Sequence, residues 1–213
     1  MLTAFTTSLI LITISELGDK TFFIAVILSM QHSKKLVFAG VTLALMAMTI
    51  LSVLFGQVLS SITRDSQIYV RYGEIVLFIT FGLKLLYDAG KMKPTENQEV
   101  MEEAREEVKK SEVTNHSKSP WGVLLKSFVL TFIAEWGDRT QIATIALAAG
   151  NNANNAIGVT GGAILGHTIC ALIAVIGGRV IAGRISEKQI TLIGGILFII
   201  FGIIAAIELK TGG

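Results

Sequence analysis

The sequence SELGDKT at residues 15–21 recurs almost intact as AEWGDRT at residues 134–140. Each copy places two acidic residues and one basic residue in the middle of an apolar segment that is long enough to cross a bilayer. A charge at the centre of a membrane helix costs roughly 2.5–3.5 kcal/mol, so charges there pair with one another, with protons or with an ion. The two copies therefore predict a membrane fold with a charged site inside it.

The composition places the chain among integral membrane proteins. Of its 213 residues, 52% are hydrophobic and only 16% are charged, and the mean hydropathy is +0.65. These values lie outside the range of soluble globular domains. The single cysteine, Cys170, excludes an intramolecular disulfide. The N-terminus has no basic region or cleavage pattern, so we interpret it as a first span and not as a signal peptide.

Apolar runs separated by charged loops predict an all-α membrane protein with six transmembrane helices. The predicted spans are residues 1–30, 36–63, 68–86, 121–149, 156–178 and 189–207. The third carries charges near both ends, Glu74 among them, which we place at the membrane interface. In the fifth, small residues recur at every fourth position from Gly158 to Gly178. Such a face favours close helix contact, either within the chain or between two copies.

The two motifs belong to a longer internal repeat. An offset of 119 aligns Glu16 with Glu135, and similar offsets align residues 78–82 with residues 198–202. Because each copy holds three spans, the second is inverted relative to the first, as in many secondary transporters. We predict two inverted three-helix repeats, residues 1–86 and 121–213. An acidic hydrophilic linker, residues 87–120, joins them; we interpret it as solvated and partly helical over residues 96–112, not as a metal-capturing tail.

Basic residues near span ends predict the orientation. The loops after spans one, three and five hold Lys34, Lys35, Lys91, Lys93, Arg105, Lys109, Lys110, Lys118, Arg179, Arg184 and Lys188. The loops on the other side hold Arg64, Arg71 and Lys210. This asymmetry predicts a cytoplasmic linker and two external termini.

The chemistry of the motifs predicts a metal site. Residues three apart share one face of a helix, so Glu16 should point with Asp19, and Glu135 with Asp138. Inverted symmetry would then bring the two pairs together near the midplane. Carboxylate oxygens suit Mn²⁺, Ca²⁺ and Mg²⁺. We therefore predict that these four acidic residues bind a divalent cation and that the chain needs no other cofactor.

The remaining motif residues are predicted to support this site: Gly18, Lys20, Thr21, Gly137, Arg139 and Thr140. The two cations follow each Glu by four positions and would hold the carboxylates when no metal is bound. The glycines would let each helix unwind or let another backbone approach. The threonines add hydroxyl oxygens. Four weaker candidates for the pathway are Met46, Gln57, Gln141 and His167.

Among these weaker candidates, His167 lies in the middle of span five and offers a nitrogen ligand that would favour Mn²⁺ over Ca²⁺. A packing or hydrogen-bonding role is commoner for such a residue. Met46, its counterpart at an offset of 121, offers a soft sulfur atom.

The charges of the two motifs predict proton coupling. Four carboxylates and two cations leave a charge of −2, which one divalent cation or two protons would neutralise. We expect Glu16 and Glu135 to carry the protons, since burial favours the neutral form of a carboxyl group. The alternatives are buried ion pairs that only fix helix packing, a passive cation channel, and an intramembrane metal-dependent phosphatase, which would need a phosphate-binding cluster that the motifs lack.

The doubled Glu-x-Gly-Asp-(Lys/Arg)-Thr motif, here residues 16–21 and 135–140, resembles that of the Gdt family of cation/proton exchangers from Golgi, chloroplasts and bacteria. The resemblance covers all six predicted spans. It implies a transporter, not an enzyme, that exchanges Mn²⁺, and alternatively Ca²⁺, for protons through the motif acids. Without an N-terminal targeting extension, the chain is expected in a bacterial plasma membrane, exporting the ion from the cytoplasm. Nucleic acid is not an expected partner, and association with further copies stays open.

Overall fold

A computed structural model describes residues 1–62, 67–92, 96–114, 119–149, 153–181 and 187–211. Within these residues the chain forms nine α-helices and no strand, which confirms the all-α prediction. The helices are α1 (Leu2–Glu16), α2 (Lys20–Gln31), α3 (Lys34–Ile62), α4 (Gln67–Lys91), α5 (Glu96–Thr114), α6 (Pro120–Ala134), α7 (Arg139–Ala149), α8 (Ala153–Ile181) and α9 (Glu187–Thr211). Some basic residues used for the orientation lie outside the described ranges: Arg64, Lys93, Lys118 and Arg184.

Among the described residues, three helices are long and apolar enough to cross a membrane alone: α3, α8 over Asn155–Gly177, and α9 over Lys188–Thr211. The shorter apolar helices are α1, α2 and α6. The predicted first span is divided into α1 and α2, and the predicted fourth span into α6 and α7. Large apolar side chains stand exposed on the outer helices, for example Phe55 and Ile176. Such a surface suits lipid better than water.

Glycines bring the long helices into backbone contact. A Cβ atom on Gly162 of α8 would lie 2.1 Å from the Phe5 carbonyl oxygen of α1. A Cβ atom on Gly40 of α3 would lie 2.5 Å from the Leu124 carbonyl oxygen of α6. The small-residue face of α8 therefore packs against α1 within the chain, which is one of the two alternatives left open by the sequence.

The predicted linker contains α5, and its bounds agree with the helix expected over residues 96–112. The helix packs on α2, and its Ala104 and Val108 are completely or almost completely buried, in one apolar cluster with Phe22 and Phe23. The opposite face of α5 carries exposed charges such as Glu102. The segment is therefore not a wholly solvated linker, because one face of its helix belongs to the core.

Candidate cation-binding site

The first motif interrupts its helix. Helix α1 ends at Glu16, α2 begins at Lys20, and Gly18 between them has a φ of 80°. This left-handed conformation is unfavourable for residues with a Cβ atom. The Asp19 N–H donates to the Glu16 carbonyl oxygen at 3.3 Å and closes the turn. Unwinding at glycine, one of the two roles considered from the sequence, is thus observed.

The second motif repeats this turn. Helix α6 ends at Ala134, α7 begins at Arg139, and Gly137 has a φ of 84°. The Asp138 N–H donates to the Glu135 carbonyl oxygen at 3.2 Å. The expectation that each acidic pair shares the face of a continuous helix is therefore wrong, because a turn separates Glu from Asp. Each Asp instead stands at the N-terminus of a half-helix, where the backbone dipoles carry partial positive charge.

Three of the four predicted ligands meet. One carboxylate oxygen from each of Glu16, Asp19 and Glu135 lies within 4.8 Å of the others. The two glutamates are 3% and 2% exposed, and the Oε1 atom of each has no hydrogen-bond partner. Buried carboxylates held this close are costly unless protons or a cation compensate their charge. The three oxygens therefore face a position that suits a cation.

Asp138, the fourth predicted ligand, interacts electrostatically with these three carboxylates but is hydrogen-bonded to its own helix. Its Oδ2 atom accepts hydrogen bonds from the Thr140 N–H at 3.2 Å and the Thr140 hydroxyl at 3.1 Å. It thereby caps α7. Asp19, in the equivalent position, makes no such side-chain cap. The difference leaves Asp19 available to the cluster and ties Asp138 to its own helix.

The threonines and Arg139 connect the two motifs. The Thr21 hydroxyl donates to Glu16 Oε2 at 3.4 Å and also interacts with Glu135, while Thr140 interacts with Glu16. Arg139 reaches Asp19 of the other motif, with Nη2 at 3.5 Å from Oδ1. Its Nε lies 3.9 Å from an oxygen of Asp138. Arg139 therefore contacts an aspartate of each copy and links the two motifs.

Lys20 is placed differently. Its Nζ atom lies 2.5 Å from Glu107 and 3.9 Å from Glu103, both on α5. The expected pairing of Lys20 with the motif carboxylates is not observed. These partners could not be identified from the motif, since they lie more than eighty residues away in a segment with many acidic residues. The only sequence signal was the acidic character of residues 96–112.

His167 reaches the carboxylate group from α8. Its Nδ1 atom lies 3.9 Å from Glu16 Oε1, and the side chain is 5% exposed. Neither of these two atoms has a hydrogen-bond partner. The nitrogen, which the sequence favoured for packing or hydrogen bonding, therefore lies beside a carboxylate oxygen of Glu16.

The other pathway candidates differ in what they contact. Gln141 belongs to the site: its Oε1 accepts the Gly137 N–H at 2.6 Å, and its Nε2 donates to the Met48 sulfur at 2.9 Å. Met48, which the sequence interpretation missed, therefore makes the contact, and none is observed between Met46 and a described motif residue. Gln57 instead donates to the Ala148 carbonyl oxygen at 2.6 Å, so it joins α3 to α7.

Comparison with known proteins identifies the family. The profile described as "Divalent cation/proton antiporter GDT1" matches residues 4–93 and 123–212. The chain is 57% identical to "GDT1-like protein sll0615" of Synechocystis over 96% of this chain and 97% of that protein. It is 43% identical to "GDT1-like protein 3" of Oryza sativa subsp. indica, covering 92% of this chain and 71% of the relative.

A chloroplast relative completes the comparison. "Protein PAM71-homolog, chloroplastic" of Arabidopsis thaliana is 42% identical, over 92% of this chain and 57% of that protein. No solved structure matches. The family profile covers most of the chain, and the two motifs lie inside the matched stretches. This chain belongs to the GDT1 family of divalent cation/proton antiporters.

Proposed function

We propose that this protein exports Mn²⁺ from the cytoplasm in exchange for protons, with Ca²⁺ as the weaker substrate. The observation that carries the proposal is the convergence of Glu16, Asp19 and Glu135 at the point where two broken helices meet. Paired half-helices with acidic side chains between them are a recurrent design of ion-coupled transporters. The proposed metal ligands are these three carboxylates, joined by Asp138 if Thr140 releases it.

His167 supports the preference for Mn²⁺. Ca²⁺ binds almost entirely through oxygen, whereas Mn²⁺ also accepts imidazole nitrogen. His167 Nδ1 faces the oxygen of Glu16 that has no hydrogen-bond partner, and a small inward movement of either group would let both bind one ion. A site with one nitrogen among carboxylate oxygens favours Mn²⁺ over the harder Ca²⁺.

The two buried glutamates support proton coupling. Glu16 and Glu135 each bury their carboxylate almost completely. When the metal leaves, two protons on these groups would replace the two positive charges of the ion. Lys20 is paired with Glu107 of α5, so it does not balance the charges of the motifs. The number of exchanged protons is therefore taken from the two glutamates and not from the net charge of both motifs. We propose exchange of one divalent cation for two protons.

Contacts between equivalent residues support the two-fold design. Phe78 packs edge-on against Phe198, its equivalent at an offset of 120, with ring centroids 5.7 Å apart. Residues meet their own equivalents only near a symmetry axis between two halves. We propose inverted three-helix repeats with the linker in the cytoplasm and the termini outside, in a bacterial plasma membrane.

Ion flux in proteoliposomes tests the exchange. The full chain is reconstituted, and uptake of Mn²⁺ and Ca²⁺ is measured with and without an imposed pH gradient. We expect flux driven by the gradient that is stronger for Mn²⁺ and is lost in Glu16→Gln and in Glu135→Gln. Glu102→Gln, on the exposed face of α5, is the matched control and should transport normally.

The alternative functions give different results. Flux of equal rate with and without the pH gradient would indicate a channel. Gradient-driven flux that survives both glutamate substitutions would contradict the proposed site. A net current under saturating exchange would contradict the stoichiometry of two protons per ion.

A further inference from the structure

A cavity with both polar and apolar lining lies at the end of the molecule where α1 begins. Its volume is about 240 Å³, and α1, α4 and α9 supply its polar lining through Thr3, Thr7, Arg71, Glu74 and Glu208. Thr7 precedes Glu16 by nine residues on α1, or about 13 Å at the rise of an α-helix. The buried Leu11 lies between them on that helix. The cavity is therefore separate from the motif site.

Glu74 is the unusual residue of this cavity. Its side chain is 4% exposed, and its Oε2 atom has no hydrogen-bond partner. Arg71 Nη1 lies 3.6 Å from this oxygen and forms an ion pair with it. A buried carboxylate oxygen without a hydrogen bond calls for a physical explanation, and an ion that binds there is one.

The two acidic and two basic groups in the cavity wall balance each other, and the wall suits a cation once Arg71 turns away. Glu208 of α9 interacts electrostatically with Glu74, so two carboxyl groups share the space. The Thr3 and Thr7 hydroxyls add neutral oxygens. The positive groups are Arg71 and the Met1 amino group, which donates to the Asn155 side-chain oxygen. Arg71 is 24% exposed, so its guanidinium group can turn toward solvent.

We propose that this cavity is a second divalent-cation site, with Glu74 and Glu208 as its acidic ligands. Arg71 acts as an internal cation that balances Glu74 when the site is empty and is displaced by the incoming ion. Binding here does not depend on exchange at the motifs. If the proposed orientation holds, the site lies on the external side and receives the exported ion after it leaves the motif site.

Mn²⁺ itself is the probe for this site. Binding is measured on the full chain in detergent from the loss of the electron paramagnetic resonance signal of free Mn²⁺. The background variant carries Glu16→Gln and Glu135→Gln, which remove the motif site. We expect this background to keep one bound Mn²⁺ per chain and to lose it when Glu74→Gln is added. Glu102→Gln in the same background should change nothing.

Arg71→Gln separates a cation site from a structural ion pair. Removing a competing positive charge at this distance should tighten Mn²⁺ binding in the background variant by about tenfold. Glu208→Gln should weaken it. A background variant that binds no Mn²⁺, or binding unaffected by Glu74→Gln, would overturn the proposal, as would unchanged or weaker binding in Arg71→Gln.

Two controls keep these results independent. In the otherwise wild-type chain, Glu74→Gln should still bind Mn²⁺ at the motifs, which shows that it folds; if it does not fold, Arg71→Gln and Glu208→Gln decide. Failure of the exchange mechanism would appear as absent flux in liposomes, whereas failure of this site would appear as absent binding in the background variant.

Discussion

At the scale of single residues, His167 is the side chain that distinguishes a manganese site from a calcium site. Its Nδ1 atom lies 3.9 Å from Glu16 Oε1, and neither atom has a hydrogen-bond partner. We expect His167→Asn to weaken transport of Mn²⁺ on the order of tenfold and to leave Ca²⁺ transport almost unchanged, since the oxygen ligands remain. Competition between the two ions in the flux assay measures this change in preference.

Thr168→Ser is the matched control for that substitution. The Thr168 hydroxyl donates to the Ile164 carbonyl oxygen of its own helix, so serine should keep both the bond and the ion preference. An equal loss of Mn²⁺ and Ca²⁺ transport in His167→Asn would show that the imidazole only supports the packing of α8.

The functional residues could be predicted where their chemistry lay within the motif. They could not be predicted where they depended on partners far away in the sequence. The convergence of Glu16 and Glu135 was expected because two charged sequences in apolar spans must compensate each other. The repeat offset selected Met46, but Gln141 contacts Met48. Side chains two positions apart in an α-helix point in directions that differ by about 200°. A sequence offset therefore cannot choose between them without the packing of α3 and α7.

At the scale of the helices, the contact between α1 and α8 depends on glycine at one position. A Cβ atom at Gly162 would lie 2.1 Å from the Phe5 carbonyl oxygen and 2.2 Å from Ser8 Oγ. Because backbone cannot move aside cheaply, Gly162→Ala should separate the two helices. We expect a destabilisation of about 1–3 kcal/mol or more, as for other overpacked sites. Thermal unfolding of the purified protein in detergent measures it.

The neighbouring glycine is the control. At Gly161 the nearest atoms to an added Cβ atom belong to the Phe5 ring at 3.5 Å, an ordinary contact. Gly161→Ala should therefore unfold at the wild-type temperature or slightly above it. Equal effects of the two substitutions would contradict the register in which α1 and α8 pack.

Helix boundaries were predictable only in part. Hydropathy located the apolar runs, but it could not show that the first and fourth runs break at Gly18 and Gly137, since glycine within a helix pattern has several possible roles. The positive φ values of these two glycines show that the helices break there. The break also explains why Glu16 and Asp19 meet without sharing one helical face.

At the scale of the whole molecule, the repeat was visible in the sequence, but the differences between its halves were not. Asp138 caps α7 through Thr140, whereas Asp19 makes no side-chain cap and pairs with Arg139 beside the glutamates. Gln141 fixes the turn of the second motif, and its counterpart in the first copy is Phe22. Helix α5 is held by long-range contacts with α2, which charge patterning alone did not reveal.

The central claim is that the motif carboxylates hold the transported ion, and anomalous X-ray diffraction at the manganese edge from crystals soaked in Mn²⁺ tests it most directly. We predict an anomalous peak bonded to the carboxylate oxygens of Glu16, Asp19 and Glu135, and its absence from crystals of the Glu16→Gln variant. A strong peak elsewhere, with none between the two motifs, would contradict the claim.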